Sequence, residues 1–565
     1  MPPTPTETLD EALATLRSNA AAWCRTGIPE RLELLEQLAD GILEVAGDWV
    51  ATSAADKGIQ RRSSLMAEEW GNGPTTTLRM VALLRDTLAD IARTGRPQPP
   101  SVRTDADGRT LVDVLPANRT DRLLYAGYRA EVRLQPGVTP EDVERRMGRI
   151  YREDHVEQPG LALVLGAGNV SSIGPMDALY QLFALDRVVM LKLNPANERI
   201  GPHLAAAFQP LVDAGFLRLA YGGSEVGRYL TDHEQVDAIH ITGSDRTHDA
   251  IVFGSGADGA ERKRRGEPRI DKPVSSELGN LTPVIVVPGP WSDGEVSFQG
   301  DNIASMLTNN AGFNCVSPRM IVQHRAWSRR GDLLHAVRSS LRRAEEREPF
   351  YPGARERWER FTQGHRQAEW FSRADDGRVP FTLIPDLDPD DRDDLAFNEE
   401  AFCGLTGEVG LDAPRSTAGF LDAAVDFCNE QLWGTLSASI LIHPRSLKDP
   451  EIAAALDRAL DRLRYGTIVL NHWPGVAYAF VSTPWGAYPG SDLSDIQSGR
   501  GMVHNTFLLE DVEKTVVRGP FRPPLRPLWF HTHRTAHRMI PDLARFNATR
   551  ELRLLPKLLA TALRG

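Results

Sequence analysis

At 565 residues the chain is long enough for two or three domains, each with an apolar core of its own. Apolar residues make up 41% and charged residues 25%, a globular composition that excludes a disordered or fibrous chain. The net charge of −11 is dispersed, so nucleic acid is not an expected partner, and the one basic cluster, Arg262-Lys263-Arg264-Arg265, reads as a solvated loop. Met1 to Glu7 lacks the basic start and apolar run of a secretory signal, and no apolar run approaches the roughly 18 residues a membrane span needs. A cytoplasmic protein is expected. Cys24, Cys315, Cys403 and Cys428 show no metal-ligand spacing, so free thiols and no metal site are expected.

In chain order, Leu9 to Ile59 repeats apolar residues every three or four positions, which predicts amphipathic helices. Pro97 to Arg103 is a connector, Leu123 to Leu134 has the aromatic and β-branched content of extended strands, and Thr139-Pro140-Glu141-Asp142 opens a charged helix to about Asp154. Short buried-strand runs then alternate with helices: Leu161–Leu165, Val188–Leu193, Leu217–Tyr221 and Ala238–Thr242. That alternation predicts a parallel sheet covered on both faces, with ligands at the carboxyl ends of its strands. A second alternation runs through Val284–Val287, Met320–Val322, Phe381–Ile384, Gly407–Leu411, Ser437–Ile442 and Thr467–Asn471, and predicts a second α/β domain. Arg355 to Asp394 reads as a polar surface stretch, and a closing helix is expected from about Pro541.

Four local signals carry chemistry. Gly166-Ala167-Gly168-Asn169 follows a strand and precedes a helix, where an Asn amide can donate to a developing oxyanion; a glycine turn with a capped helix gives the same pattern. Lys192 ends a strand, where it can hold a ribose or phosphate or simply snorkel to water. Thr242-Gly243-Ser244 leads into a helix whose first amides suit a pyrophosphate, and a plain N-cap explains it equally well. Ser276-Glu277-Leu278-Gly279-Asn280 and Gly312-Phe313-Asn314-Cys315 offer a carboxylate that could activate water and a thiol flanked by small and polar residues. Singly, a structural cysteine and a solvated glutamate are the commoner explanations.

Together and in this order, these stretches resemble the aldehyde dehydrogenase superfamily over roughly Leu9 to Val516. Further matches are Pro159-Gly160, Gly222 to Leu230 followed by His233 to Ile239, Lys272-Pro273, Thr282-Pro283, Asn310-Ala311-Gly312, Glu399-Glu400-Ala401-Phe402 and Pro484-Trp485-Gly486. The resemblance implies an α/β fold with a Rossmann-like cofactor-binding domain (1–122 and 156–283), a catalytic domain (284–485) and extended oligomerisation segments (123–155 and 486–518), followed by a C-terminal extension (519–565). It implies NAD or NADP as cofactor, an aldehyde as substrate and a homodimer or larger homo-oligomer. By the same resemblance Cys315 is the nucleophile, Asn169 the oxyanion donor and Glu277 the base that hydrolyses a thioester. Lys192 and Glu400 would hold the riboses and Gly243 and Ser244 the pyrophosphate, with Phe402 beside the nicotinamide. The site is then expected to favour the thiolate of Cys315.

Several positions depart from the family pattern. Ala167-Gly168 stand where Pro-Trp is usual before the Asn, Phe313 replaces a common Gln, and Arg319 lies one position nearer the cysteine. Asn194-Pro195 follow Lys192 without an acidic residue, Gly254 to Lys272 reads as an added basic loop, and Gly486-Ala487 replaces a Gly-Gly. Two other functions share this body: a reductase of acyl thioesters, which commonly lacks the water-activating glutamate, and a degenerate binding paralogue, which would have lost Cys, Glu or Asn.

Overall fold

The computed structural model describes residues 1–372 and 378–565. Two sheets organise the chain. In the first, Val274–Glu277, Ala238–Thr242, Gly160–Leu165, Arg187–Lys192 and Leu217–Ala220 run parallel in that spatial order, with the short Gly499–Arg500 antiparallel at one edge. Leu161 to Val164 and Val188 to Met190 are fully buried because helices cover both faces. Thr6–Cys24 and Ile173–Phe183 both pack on Arg187–Lys192. Continuous apolar runs are what a sheet buried on two sides requires.

The second sheet is larger. Its parallel body runs Val512–Arg518, Thr467–Leu470, Ser437–Leu441, Thr282–Val286, Pro318–His324, Leu405–Leu411 and Thr382–Leu387. Antiparallel strands flank it: Arg129–Leu134, Thr110–Leu115 and Ser101–Thr104 at one side, Glu369–Trp370 at the other. The chain crosses from the first sheet to the second through Leu278–Leu281, directly after Glu277. Among the described residues no helix is long and apolar enough to cross a membrane.

Four local expectations are corrected. Leu123 to Leu134 is not extended throughout: Asn118 caps a helix, Arg119–Leu124, by accepting from Thr120 and Asp121 N–H, and only Arg129–Leu134 is strand. The Arg262 to Arg265 cluster is not loop but the last turn of a helix, Gly256–Arg265, closed by Gly266 in the left-handed conformation. Cations suit the negative end of a helix, so the charge run that looked like a loop stabilises a helix terminus. Arg355 to Asp394 is not merely surface, since Ala354–Gly364 buries Trp358 and Phe361 and Thr382–Leu387 joins the sheet; residues 373–377 of that stretch lie outside the described residues. The closing helix begins earlier, Ala536–Thr549, with Pro541 inside it, and a further helix, Leu555–Ala562, follows.

Candidate active site

Between the two sheets, over the carboxyl ends of the first, lies a cleft of about 950 Å³. Asn169, Lys192, Gly243, Ser244, Glu277, Cys315, Glu400 and Phe402 all line it. The topology explains the convergence. Asn169 follows the strand Gly160–Leu165, Lys192 and Glu277 end theirs, and Gly243-Ser244 follow Ala238–Thr242, so each comes from a strand end pointing the same way. Cys315 and Phe402 come from loops that precede Pro318–His324 and Leu405–Leu411 in the second sheet.

At the inner end the Cys315 thiol donates to Glu277 Oε1 at 3.2 Å. Asn169 Nδ2 donates to the Phe313 carbonyl at 2.9 Å, which leaves the second amide hydrogen of the carboxamide for the cleft. The loop before Cys315 has an unusual path. Asn310, Ala311 and Gly312 take φ of 52°, 55° and 81° in succession, and the side chains of Asn310 and Arg319 hold that path from within. Arg319, 3% exposed, donates to the carbonyls of Gly312 and Asn314 and to that of Cys403 in the neighbouring loop. Its guanidinium also stands 3.6 Å from Glu400.

Burial dominates the electrostatics. Loss of water, followed by the charge of Asp177, pushes the Glu277 carboxyl up to about 7, while the Cys315 thiol, the Trp485 indole and His240 pull it back. Burial and then the neighbouring Glu277 charge push the Cys315 thiol well above its ordinary range. Burial and the Glu277 charge therefore both act against the thiolate expected at Cys315, and the thiol is placed to donate to the carboxylate. Behind that carboxylate, parallel pairing aligns Ser275 with His240 and Glu277 with Thr242, so all four side chains share one face of the sheet. Asp177, from the helix above, accepts from Thr242 Oγ1 at 3.0 Å and lies 3.4 Å from His240 Nε2.

Toward the mouth the cleft turns basic and glycine-rich. Lys192 is 8% exposed, and burial lowers its ammonium below the usual lysine range against the raising effect of Glu198. Ser244 caps the helix Asp245–Val252, its Oγ accepting from Thr247 N–H at 3.2 Å, and Arg228, Arg246 and Arg269 line the walls. Glu400 Oε1 is buried with no hydrogen-bond partner, 3.6 Å from the Arg319 guanidinium, and the carboxyl rises to about 7 by burial against the opposing Arg319. A Cβ at Gly279 would stand 2.2 Å from Glu400 Oε2, so the glycine after Glu277-Leu278 is what admits that carboxylate. Phe402, at φ 41°, packs on Tyr351 at 4.9 Å and Phe313 at 5.9 Å. A volume in the range of ligand pockets, cations along the walls and a buried carboxylate oxygen without a hydrogen bond fit an elongated phosphate-bearing molecule with hydroxyl groups.

Sequence reading named none of Lys57, Glu69, Asp177, His240 or Arg319 as site components, although Asn310 and Arg319 were noted in passing. Lys57 and Glu69 sit in helical sequence far from every motif, and the partners of Lys57 at Asn169 and Asn310 are fixed only by folding. The alternation His240, Thr242 on one strand and Ser275, Glu277 on the next was a signal that could have been used, because parallel partners share a face.

A thiol, a carboxylate and an amide thus meet where a parallel sheet and a second α/β layer adjoin, an arrangement suited to cysteine chemistry. Residues 145–349 match the model of the Aldehyde dehydrogenase family. A stretch of 160 residues is 26% identical to aldehyde dehydrogenase LUC3 of Fusarium sp, covering 28% of this chain and 31% of that protein. The matched stretch thus spans about a third of the length of that curated relative. The fold extends the likeness to nearly the whole chain. A NAD-dependent aldehyde dehydrogenase from Sinorhizobium meliloti superposes with a TM-score of 0.60 over 93% of this chain and 89% of its own, at 18% identity. Glyceraldehyde-3-phosphate dehydrogenase GapN from Methanocaldococcus jannaschii, solved with NADP, gives 0.60 over 92% and 96%, at 16% identity. Residues 145–349 are thus similar to that family, and nearly the whole chain shares the fold of these two structures.

Proposed function

We propose that the protein oxidises an aldehyde to a carboxylic acid with NAD or NADP, through a covalent thioester on Cys315. The observation that carries this reading is the meeting of the Cys315 sulfur, the Glu277 carboxylate and the Asn169 amide at the inner end of one cleft, with sulfur and carboxylate in hydrogen-bond contact at 3.2 Å. As the sulfur attacks the aldehyde carbon, its proton passes along that hydrogen bond to Glu277. The new oxyanion is held by the free N–H of the Asn169 carboxamide and the Cys315 backbone N–H. A nicotinamide held there would supply the hydride acceptor needed for an acyl thioester to be left on Cys315. Glu277, having released its first proton to solvent, takes a proton from water as the water attacks the thioester, and the acid leaves with the thiol restored. Lys192 and Glu400 would hold the two riboses, Gly243 and Ser244 the pyrophosphate, and Phe402 would flank the nicotinamide. A homo-oligomer in a reducing cytoplasm, where Cys24, Cys403 and Cys428 stay free thiols, completes the proposal.

Glu277 separates hydrolysis from acyl-thioester reduction, because a carboxylate touching the sulfur is placed to activate water against the acyl group. The test is turnover with an aldehyde panel and both cofactors, set against acyl-CoA with the reduced cofactors. Wild type should oxidise aldehydes faster, and Cys315→Ala should be inert while still binding cofactor. Glu277→Gln should form the adduct more slowly and hydrolyse the thioester more slowly still, so that an acyl mass increment builds up on the protein. Faster turnover of acyl-CoA, or near-normal activity of Cys315→Ala, would overturn the reading.

A further inference from the structure

Outside the cleft, the most unusual buried group is Lys57, at the end of the helix Ile28–Asp56. It is 4% exposed, and all three ammonium hydrogens have a partner: Glu69 Oε1 at 2.9 Å, the main-chain carbonyl of Asn169 at 3.0 Å and Asn310 Oδ1 at 2.9 Å. Asn310, at φ 52°, turns its Nδ2 to the same Asn169 carbonyl at 2.9 Å and to the Phe313 carbonyl at 3.1 Å. The Asn169 side chain donates to that Phe313 carbonyl as well. The ring of hydrogen bonds closes on itself: cation, Asn310, the Asn169 peptide, Phe313. One half of it is the oxyanion loop and the other half is the nucleophile loop.

A buried lysine–glutamate pair is costly, since the desolvation of both charges commonly exceeds their attraction, and apolar residues of like size would often hold a fold better. Glu69, with no exposure, keeps Oε2 unpaired, so the pair is not optimised for stability. What the cation achieves instead is to fix one carbonyl from two directions. With its peptide pinned by Lys57 and Asn310, the Asn169 carboxamide has little freedom to tilt away from a reacting carbonyl. A positive charge also sits one peptide away among buried groups, where it acts on developing negative charge with little screening.

We infer that Lys57 is a positioning residue for the oxyanion: through its hydrogen bonds to the Asn169 carbonyl and Asn310, it sets the carboxamide for the tetrahedral adduct on Cys315. The inference rests on the proposed roles of Cys315 and Asn169. It is distinct from thiol activation, so the two halves of cysteine chemistry should separate. Acylation of Cys315 by p-nitrophenyl acetate, in which the sulfur–acyl bond forms and p-nitrophenolate leaves, passes through an oxyanion. Alkylation by iodoacetamide displaces iodide without one. Neither needs cofactor or the physiological aldehyde.

The test compares these two rates, followed by mass on Cys315, in wild type and in the double variant Lys57→Gln/Glu69→Gln, which neutralises both charges and strands neither. Acylation should fall about 10²-fold, the usual consequence of misplacing an oxyanion donor. Alkylation and the fluorescence-measured affinity for reduced cofactor should stay within about two-fold of wild type. Equal falls in both rates, or acylation near wild type, would overturn the inference. Should the double variant fail to fold, Lys57→Arg decides in the same way, because a planar fork cannot repeat the three bonds of an ammonium. Its acylation should fall with alkylation spared, and unchanged acylation overturns the inference. Acyl transfer that persists in Cys315→Ala would instead overturn the nucleophile assignment on which the inference rests.

Discussion

The Glu277 carboxyl is surrounded by ionisable groups from four elements: Asp177 from the helix over the sheet, His240 from the adjacent strand, Cys315 from the loop before Pro318–His324 and Tyr478 from the helix Gly475–Phe480. Its rise to about 7 comes first from burial and second from Asp177. A base works only when ionised, so the rate of thioester hydrolysis should climb as pH passes through about 7 and fall away below it. Asp177→Asn removes a negative neighbour while keeping an acceptor for Thr242. The ionised form of Glu277 becomes easier to reach, and the acid limb of the kcat profile should move to lower pH. A limb that stays in place, or moves to higher pH, would mean that Asp177 does not act on Glu277. Because the Cys315 thiol is raised by the same carboxylate, its alkylation in Glu277→Gln should also become significant at a lower pH than in wild type. Following iodoacetamide incorporation across pH checks this, and an unchanged profile would count against the charge of Glu277 as a cause.

At the scale of the element, the loop before Cys315 and the loop after Glu400 are packed back to back. Gly312 has φ 81°, and a Cβ there would stand 2.6 Å from the backbone N and Cα of Gly404. Gly312→Ala combines left-handed strain with backbone overlap and should cost on the order of 2–4 kcal/mol. It should also displace the sulfur and remove most turnover. Denaturant midpoints and initial rates measure the two effects, and a stable, active Gly312→Ala would show that the loop can relax without cost. These loops also explain what was legible beforehand. The strand ends carrying Asn169, Lys192 and Glu277 could be read because buried runs followed by Gly, Lys or Glu are local patterns. So was the approach Asn310-Ala311-Gly312, though not its conformation. Lys57 was silent because it meets its acceptors 112 and 253 positions away. Arg262 to Arg265 misled for a different reason: charge density resembles a loop unless the flanking Ser255 and Gly266 are read as helix boundaries.

Across the whole molecule, the C-terminal stretch is built into the support of the loop that carries Asn169 rather than appended to it. The helix Ala536–Thr549 packs on Met66–Trp70, Gly71–Thr75 and Thr76–Thr94, and Asn547 donates to the Thr75 carbonyl at 3.1 Å. Ile540 and Ala536 form a small apolar cluster with Ala67, Trp70 and Leu528. Directly beneath, the Asn72 carbonyl accepts from Ser172 N–H at 2.9 Å, three residues beyond Asn169, and Trp49 Nε1 donates to Ser171 Oγ at 2.9 Å. The segment Gly71–Thr75 departs from regular helix at Gly73, whose ψ is −113°, so it depends on its neighbours to hold that shape. Removing residues 536–565 uncovers this segment while leaving the cofactor end of the cleft, at Lys192 and Ser244, with its own contacts. The truncated chain should therefore melt several degrees lower. Its kcat should fall on the order of ten-fold or more by displacement of the oxyanion loop, with cofactor affinity held close to that of the full chain. Thermal denaturation, steady-state rates and cofactor titration together decide it: loss of cofactor affinity in step with kcat would mean that the C-terminal helices support the whole cleft, whereas an unchanged kcat would mean that the Gly71–Thr75 turn holds Ser172 unaided.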